Sequence, residues 1–343
     1  MNIDKYVLVK PIGKGEIGEV FLVLDIIDSF TNLYDAQVGG LTQNQRNKMA
    51  ERSIRLIQGT GGRDFLNKLE AQVLLAYKDE NKKSSLKEYA FKKLDKEHAD
   101  NTETARRFRL EYQIMAKCGS PNILRVYDYG TDSEDQRPFY TMEYFEERYS
   151  FEEIINFPLY WKVEYVKQAL WGLDELHKKN IVCKYLTPHN IFSAKAGDGI
   201  IAKVADLGIV KEGRNSEIIL KRSGIITETP CFIAPEHFNG TSIIEMQCDI
   251  FSMGVTLYYL LTGKLPYDIK TKDLSQILDY YAQVEKGACK PVPVGDIKPE
   301  VPPELEDITM RAIAYLPSKR VFCRDMSAES FAQELASIQA NLV

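Results

Sequence analysis

The 343-residue sequence contains no run of eighteen apolar residues, so no membrane-spanning helix is expected. It has no basic excess either: 44 Lys and Arg stand against 49 Asp and Glu, a formal charge of -5. Nucleic-acid binders are usually basic with a clustered patch, so no nucleic-acid partner is expected. Six cysteines, Cys118, Cys183, Cys231, Cys248, Cys289 and Cys323, form no C-x-x-C pair. Reduced, mostly buried thiols in a cytoplasmic protein are expected, not disulfides or a metal cluster. The first residues, with Asp4 and Lys5, lack the apolar region of a signal peptide. There is no low-complexity tract and no internal repeat. What is present is ordinary for a soluble globular chain, 44% hydrophobic and 27% charged. The length suits two packed units or one large domain.

Residues 6–12 and 19–27 read as strands around the turn GKGEIGEV. The pattern then breaks. Residues 28–62 are polar and hold Gly39-Gly40 and Gly59-Thr60-Gly61-Gly62, with QNQRNKMAERSIRLIQ predicting a short helix. Residues 65–80 have two readings. Leu66, Leu69, Val73 and Tyr77 recur at helical spacing, but VLLAYKDENKKSSLKEYAFKKL also reads as strand, turn, strand. A short helix running into a strand is the expectation, and 86–94 is a strand either way. A helix over 102–117 starts at a Thr and carries Phe108, Ile114 and Met115, and two strands follow in ILRVYDYG and RPFYTMEYF. After residue 146 the pattern turns helical, with an amphipathic helix over 160–180 and two or three more helices from 303. CDIFSMGVTLYYLLTG is apolar nearly all round and predicts a buried helix. A β-rich first third before a helical remainder is an α+β, two-lobed plan.

GKGEIGEV, residues 13–20, fits G-x-G-x-x-G-x-V, in which glycines let backbone approach phosphate oxygens closely. A second strand follows it, not a helix, which separates it from a dinucleotide fingerprint. Strand alternation places Ala90 and Lys92 on one face. A small residue beside a lysine suits an adenine pocket with the ammonium reaching phosphates; the alternative is a solvated lysine among Lys87, Lys93 and Lys96. Glu111 lies inside the apolar stripe of the next helix. It is costly to bury unpaired, and Lys92 is the natural partner, a surface pair with Arg107 being the alternative.

In this order the motifs resemble the eukaryotic-type (Hanks-type) serine/threonine protein kinase superfamily, from about residue 5 to the C-terminus. Ala90-Phe91-Lys92 resembles V-A-I-K, and Glu111 the helix glutamate that pairs with it. Asp206-Leu207-Gly208 resembles D-F-G, Ala234-Pro235-Glu236 matches A-P-E, Asp249 resembles the aspartate that anchors the catalytic loop, and Arg320 the arginine that pairs with the A-P-E glutamate. The resemblance implies a bilobal kinase fold. Residues 1–145 would form an antiparallel N-lobe sheet with one main helix and an insertion over about 28–85, and residues 146–343 a mainly helical C-lobe. It implies ATP and Mg2+ as cofactors. Ile12, Gly13, Lys14, Gly15, Gly18, Val20, Ala90, Lys92 and Asp206 would hold the nucleotide, together with the gatekeeper Met142, the hinge residues Glu143 to Phe145, and Phe192, which replaces a smaller residue under adenine. Asn190 and Asp206 would hold the metal. Met115, Val126, Cys183 and Leu207 would form the apolar stack that locks the lobes.

The departures fall in CKYLTPHN, residues 183–190, where the family carries H-R-D-L-x-x-x-N. The aspartate that takes the substrate proton is Tyr185, whose phenol is neutral near pH 7 and large enough to fill the space of an incoming hydroxyl. The lysine that steadies the transferring phosphate is Thr187. No Asp or Glu lies between Glu175 and Asp198 to substitute. Losing a general base costs ~10²–10⁴ in rate, roughly 3–5.5 kcal/mol. The expected function is therefore a regulatory pseudokinase that binds MgATP and acts on a protein partner, with the insertion either packing on the small lobe or recruiting that partner. The alternatives are an active ATP-dependent transferase, a weak Ser/Thr kinase or one moving AMP, and a nucleotide-free scaffold. Ser216, Ser223, Thr227 and Thr229 lie in the activation segment; phosphate on Ser223 or Thr227 would pair with Lys184, the alternative being an unmodified solvent loop.

Overall fold

The computed structural model describes residues 5–14, 17–38, 40–58, 62–132, 134–207, 230–238, 245–267, 269, 274–322 and 325–342. Gly15, Gly208 and the four activation-segment hydroxyls lie outside them. The chain divides into two compact units, residues 1–116 with 125–144, and residues 117–124 with 145–343.

The first unit is built on a five-stranded antiparallel sheet: β1 (Tyr6–Lys14), β2 (Gly18–Asp25), β3 (Glu88–Leu94), β4 (Val126–Thr131) and β5 (Pro138–Glu143), in the order β1-β2-β3-β5-β4. Cross-strand pairing sets Val20, Lys92 and Tyr140 in one row and Leu22, Ala90 and Met142 in the next. The opposite face is an aromatic core of Tyr6, Val23, Tyr89, Phe91 and Phe139, with Phe91 stacked on Phe139 at 4.5 Å.

Between β2 and β3 run α1 (Ile26–Val38), α2 (Gln43–Gln58) and α3 (Gly62–Tyr77). The second strand was expected to reach Ile27, but it stops at Asp25, whose carboxylate accepts the N–H of Asp28 at 2.9 Å and starts α1. The expected helix-to-strand switch within 65–80 is also corrected: α3 stays helical to Tyr77. The reason is shared burial. Leu66, Leu69, Val73 and Ala76 bury together against Val7 and Leu24 of the sheet and Ile26 of α1, while Leu75 falls on the outer side, 71% exposed. Helical spacing gives these residues one common face, which alternation could not. The insertion thus packs on the sheet. The longest of the remaining helices of this unit, α4 (Thr102–Met115), is capped by Asn101, whose side chain accepts from Glu103 and Thr104 N–H.

The second unit is mainly helical. α5 (Leu159–Lys178) buries Val163, Val166, Leu170, Leu173 and Leu176, a stripe at spacings of three and four. A hairpin of β6 (Ile191–Ala196) and β7 (Gly199–Val204) follows. Then come α6 (Gln247–Thr262), α7 (Leu274–Glu285), α8 (Pro303–Ala312) and α9 (Ala328–Gln339). Every residue of α6 except Gln247 and Tyr259 is buried, as its all-round apolar pattern required. Gly254 lets α6 and α8 touch: a Cβ there would lie 2.6 Å from that of Ala312.

Candidate functional site

In the first unit the sheet rows converge on a buried ion pair. Lys92 Nζ lies 3.1 Å from Glu111 Oε1, with side chains 5% and 2% exposed. Of the two sequence readings of each residue, the buried pair is the one the structure contains. Tyr140 donates its hydroxyl to the same carboxylate oxygen at 2.6 Å, and the Lys92 ammonium stands 5.6 Å from the Tyr140 ring. Breaking such a pair by removing one partner typically costs about 3–5 kcal/mol, because the other charge stays buried. Tyr140 escaped the sequence reading. Its signal was present, since alternation puts it on the face shared by Met142, two residues on.

The glycine loop reads differently from residue to residue. A Cβ on Gly18 would meet the Lys93 carbonyl oxygen at 2.4 Å, so this glycine is required by the close β2–β3 pairing itself. A Cβ on Gly13 would reach only the Val20 Cβ, at 3.9 Å, an ordinary contact. Gly13 and Lys14 end β1 opposite Val20 and Glu19, and Ile12 lies on the same strand. Ala90 is buried and pairs with the half-buried Met142. The Glu143 N–H is committed to the Arg125 carbonyl at 2.9 Å, and its carboxylate accepts the Arg125 N–H at 2.7 Å.

In the second unit Asp249, fully buried on α6, organises CKYLTPHN. Its Oδ2 accepts the Cys183 N–H at 2.9 Å and its Oδ1 the Lys184 N–H at 2.8 Å. His177 Nε2 lies 2.8 Å from Oδ2; a carboxylate only accepts, so that nitrogen carries the proton. His177 is a second residue the sequence reading missed, a histidine in the last turn of an apolar helix just before the loop. Lys184 takes a left-handed backbone, φ 65°, a conformation costing of order 1–3 kcal/mol for an ordinary residue. The bond to Asp249 holds it there.

Tyr185 is buried, its ring 5.2 Å from that of His237, and burial raises its phenol pKa above the ordinary value. Cys183 is buried as a small apolar residue, its thiol pushed well up by burial and by Asp249. Thr187 donates both its N–H, at 2.9 Å, and its hydroxyl, at 3.0 Å, to Asn190 Oδ1. Asn190 Nδ2 donates to the Asp206 carbonyl at 3.1 Å. Asp206 also has positive φ, 47°. A carboxylate suits Mg2+, which prefers hard oxygen donors; Asp206 fits that role, while the oxygen of Asn190 already accepts two hydrogen bonds. Phe192 lies 5.3 Å from the Phe145 ring, tilted by 38°, and the Lys203 ammonium stands 5.7 Å from Phe145.

Arg320 is fully buried and uses all five of its donors. It clamps both oxygens of Glu236, at 2.6 and 2.9 Å, and reaches the carbonyls of Gln247, Ala314 and Tyr315.

Residues 71–332 match the family model of the protein kinase domain, and the chain belongs to the protein kinase superfamily. Among curated proteins it is 30% identical to the serine/threonine-protein kinase PrkC of Bacillus subtilis, over 71% of this chain and 36% of that one. It is 29% identical to the serine/threonine-protein kinase PknL of Mycobacterium tuberculosis, over 72% and 60% respectively. The chain thus spans only about a third to three fifths of these relatives. Its fold matches the crystal structure of the Mycobacterium tuberculosis PknI kinase domain with a TM-score of 0.56 at 19% identity, covering 97% of this chain and 96% of that one. Protein kinases in general use ATP with Mg2+. No helix among the described residues is long and apolar enough to cross a membrane.

Proposed function

We propose that this chain is a regulatory pseudokinase of the cytoplasm, which binds ATP with a divalent cation and signals to a protein partner without transferring phosphate. The observation that carries this reading is Tyr185. The position that must hold a base near the substrate holds a buried phenol packed on His237, with its pKa raised by burial. Thr187 brings no charge to stabilise a transferring phosphoryl group. The nucleotide-facing parts support retained binding. The Lys92–Glu111 pair is assembled, Ala90 keeps a small side chain beside it, and Asp206 offers a carboxylate. In this reading Lys92 bears on the phosphates, Met142 to Phe145 on the base, and Phe192 stacks against it. ATP supplies the charged ligand that stabilises one state of the protein, and the partner reads that state, engaging the chain through the 28–85 insertion.

A second reading, an active transferase, draws on the same framework. The Asp249 anchor and the Arg320–Glu236 clamp are both complete, and phosphoryl transfer depends heavily on positioning. The deciding experiment incubates the purified protein with ATP labelled at the α- or γ-phosphate, Mg2+ or Mn2+, and a mixed protein substrate. Asp206→Asn is the control. The pseudokinase reading expects binding of ATP and no label on protein from either position. Label that disappears in the mutant would establish the transferase, and its position would tell phosphoryl from nucleotidyl transfer. Absence of ATP binding would leave the scaffold.

A further inference from the structure

The substitution of a lysine position by Thr187 does two things at once. It removes a positive charge, and it adds a hydroxyl one bond from Cα–Cβ, where a lysine has none. That hydroxyl is used. The carboxamide oxygen of Asn190 has two lone pairs, and the Thr187 N–H and Oγ1 each donate to it, at 2.9 and 3.0 Å. The amide cannot be reversed without loss. Its Nδ2 donates to the Asp206 carbonyl at 3.1 Å, and turning it over would set an N–H donor against the Thr187 N–H and oxygen against oxygen at Asp206. Buried donors and acceptors left unmade in this way are costly. The orientation is therefore fixed at both ends of the carboxamide. A divalent cation needs an oxygen lone pair, and the Asn190 oxygen has both of its own engaged.

We infer that Thr187 closes the Asn190 metal position, so that this chain holds its nucleotide with one divalent cation, on Asp206, and that Thr187 is the positioning residue for this difference. The inference rests on the nucleotide-binding reading above. It also separates two losses that look alike. The missing base at Tyr185 removes proton transfer, while Thr187 removes a cation site.

The test counts cations. Mn2+ bound in the presence of saturating AMP-PNP is titrated by electron paramagnetic resonance, and AMP-PNP retention is measured separately by equilibrium dialysis. The wild type should take one Mn2+ per bound nucleotide. Thr187→Val removes the hydroxyl and suits the extended backbone there, φ -134° and ψ 165°; it should take two. Thr187→Ser keeps the hydroxyl and should stay at one. Adding Asn190→Ala to Thr187→Val should return the count to one. Two Mn2+ on the wild type, or one on a folded Thr187→Val protein, overturns the inference while nucleotide retention leaves the functional reading standing. If the wild type retains no AMP-PNP, both are overturned, and the dialysis identifies that failure. The wild-type count alone keeps the inference falsifiable should the valine variant not fold.

Discussion

Tyr185 and His237 face each other ring to ring, centroids 5.2 Å apart and both side chains buried. The contact joins the loop position that in a working kinase carries the base to the residue after Ala234-Pro235-Glu236. One replacement at 185 has therefore become part of the interior of the second unit, and it places a histidine where water does not reach.

That histidine should make the protein acid-sensitive. His237 Nδ1–H donates to the Ala234 carbonyl, 3.3 Å away, and its Nε2 is buried without a partner among the described residues. Burial lowers its pKa below the ordinary 6.5; Glu236 and Asp249 oppose the shift, and Lys184 adds to it. Below pH 6.5 the unfolded chain takes a proton that the folded one refuses. Stability should be full above that pH and fall as pH drops, by at most ~1.4 kcal/mol per unit, until the folded pKa is passed. Urea unfolding between pH 7.5 and 5 should show the slope in the wild type and a shallower one in His237→Phe. Equal slopes would rule His237 out as its source.

The Lys92–Glu111 pair makes a sharper demand. Lys92→Met strands a carboxylate that is 2% exposed and retains only part of its bonding. It should lose about 3–5 kcal/mol of stability. Lys92→Met combined with Glu111→Leu should recover most of that, since no unpaired charge remains. Chemical denaturation of the two variants decides it: a double variant as unstable as the single would contradict this account.

Gly18 and Gly13 should behave oppositely. Gly18→Ala drives a methyl group into the Lys93 carbonyl at 2.4 Å and should cost about 1–3 kcal/mol. Gly13→Ala makes only an ordinary contact with the Val20 Cβ, at 3.9 Å, and should be neutral or gain up to about 1 kcal/mol. Thermal melts that rank the two the other way would show that the glycine loop is not set by sheet pairing.

Asp249→Asn tests the loop anchor. The amide cannot serve as acceptor at both positions, so one of the N–H groups of Cys183 or Lys184 must face another donor. Bonds to a charged acceptor are worth about 1.5–3 kcal/mol each, and the left-handed Lys184 would lose its tether. Amide hydrogen exchange at Lys184 and Tyr185 should speed up by at least tenfold while α6 stays protected. Unchanged exchange would mean the loop is held by something else.

The two-unit plan, the sheet, the apolar helix α6 and the pair Lys92–Glu111 were legible in the sequence, because each is written in periodicity or in a charge too costly to bury alone; the pair Arg320–Glu236 was legible only through the resemblance to the kinase motifs. Three things were not. The strand ending at Asp25 depended on a local side-chain cap, which hydrophobic pattern alone does not show. The helix over Gly62–Tyr77 competed with a strand of similar apolar content, and only the shared core with Val7 and Leu24 decided it. The inward turn of Tyr185 depended on His237, fifty-two positions away in sequence, which no local spacing connects to it.

The core formed by Leu66, Leu69, Val73 and Ala76 with Val7 and Leu24 also has a consequence for how the first unit comes apart. A segment of about sixty residues interrupting a small sheet would ordinarily be a candidate for excision, an appendage opening on its own before the rest. Here sheet and insertion lend each other the same apolar surface, so neither has a complete interior alone. They should melt as one foldon. A chain shortened by removing the three helices would leave the β1–β2 end of the sheet uncovered, prone to self-association rather than trimmed to a smaller working kinase fold.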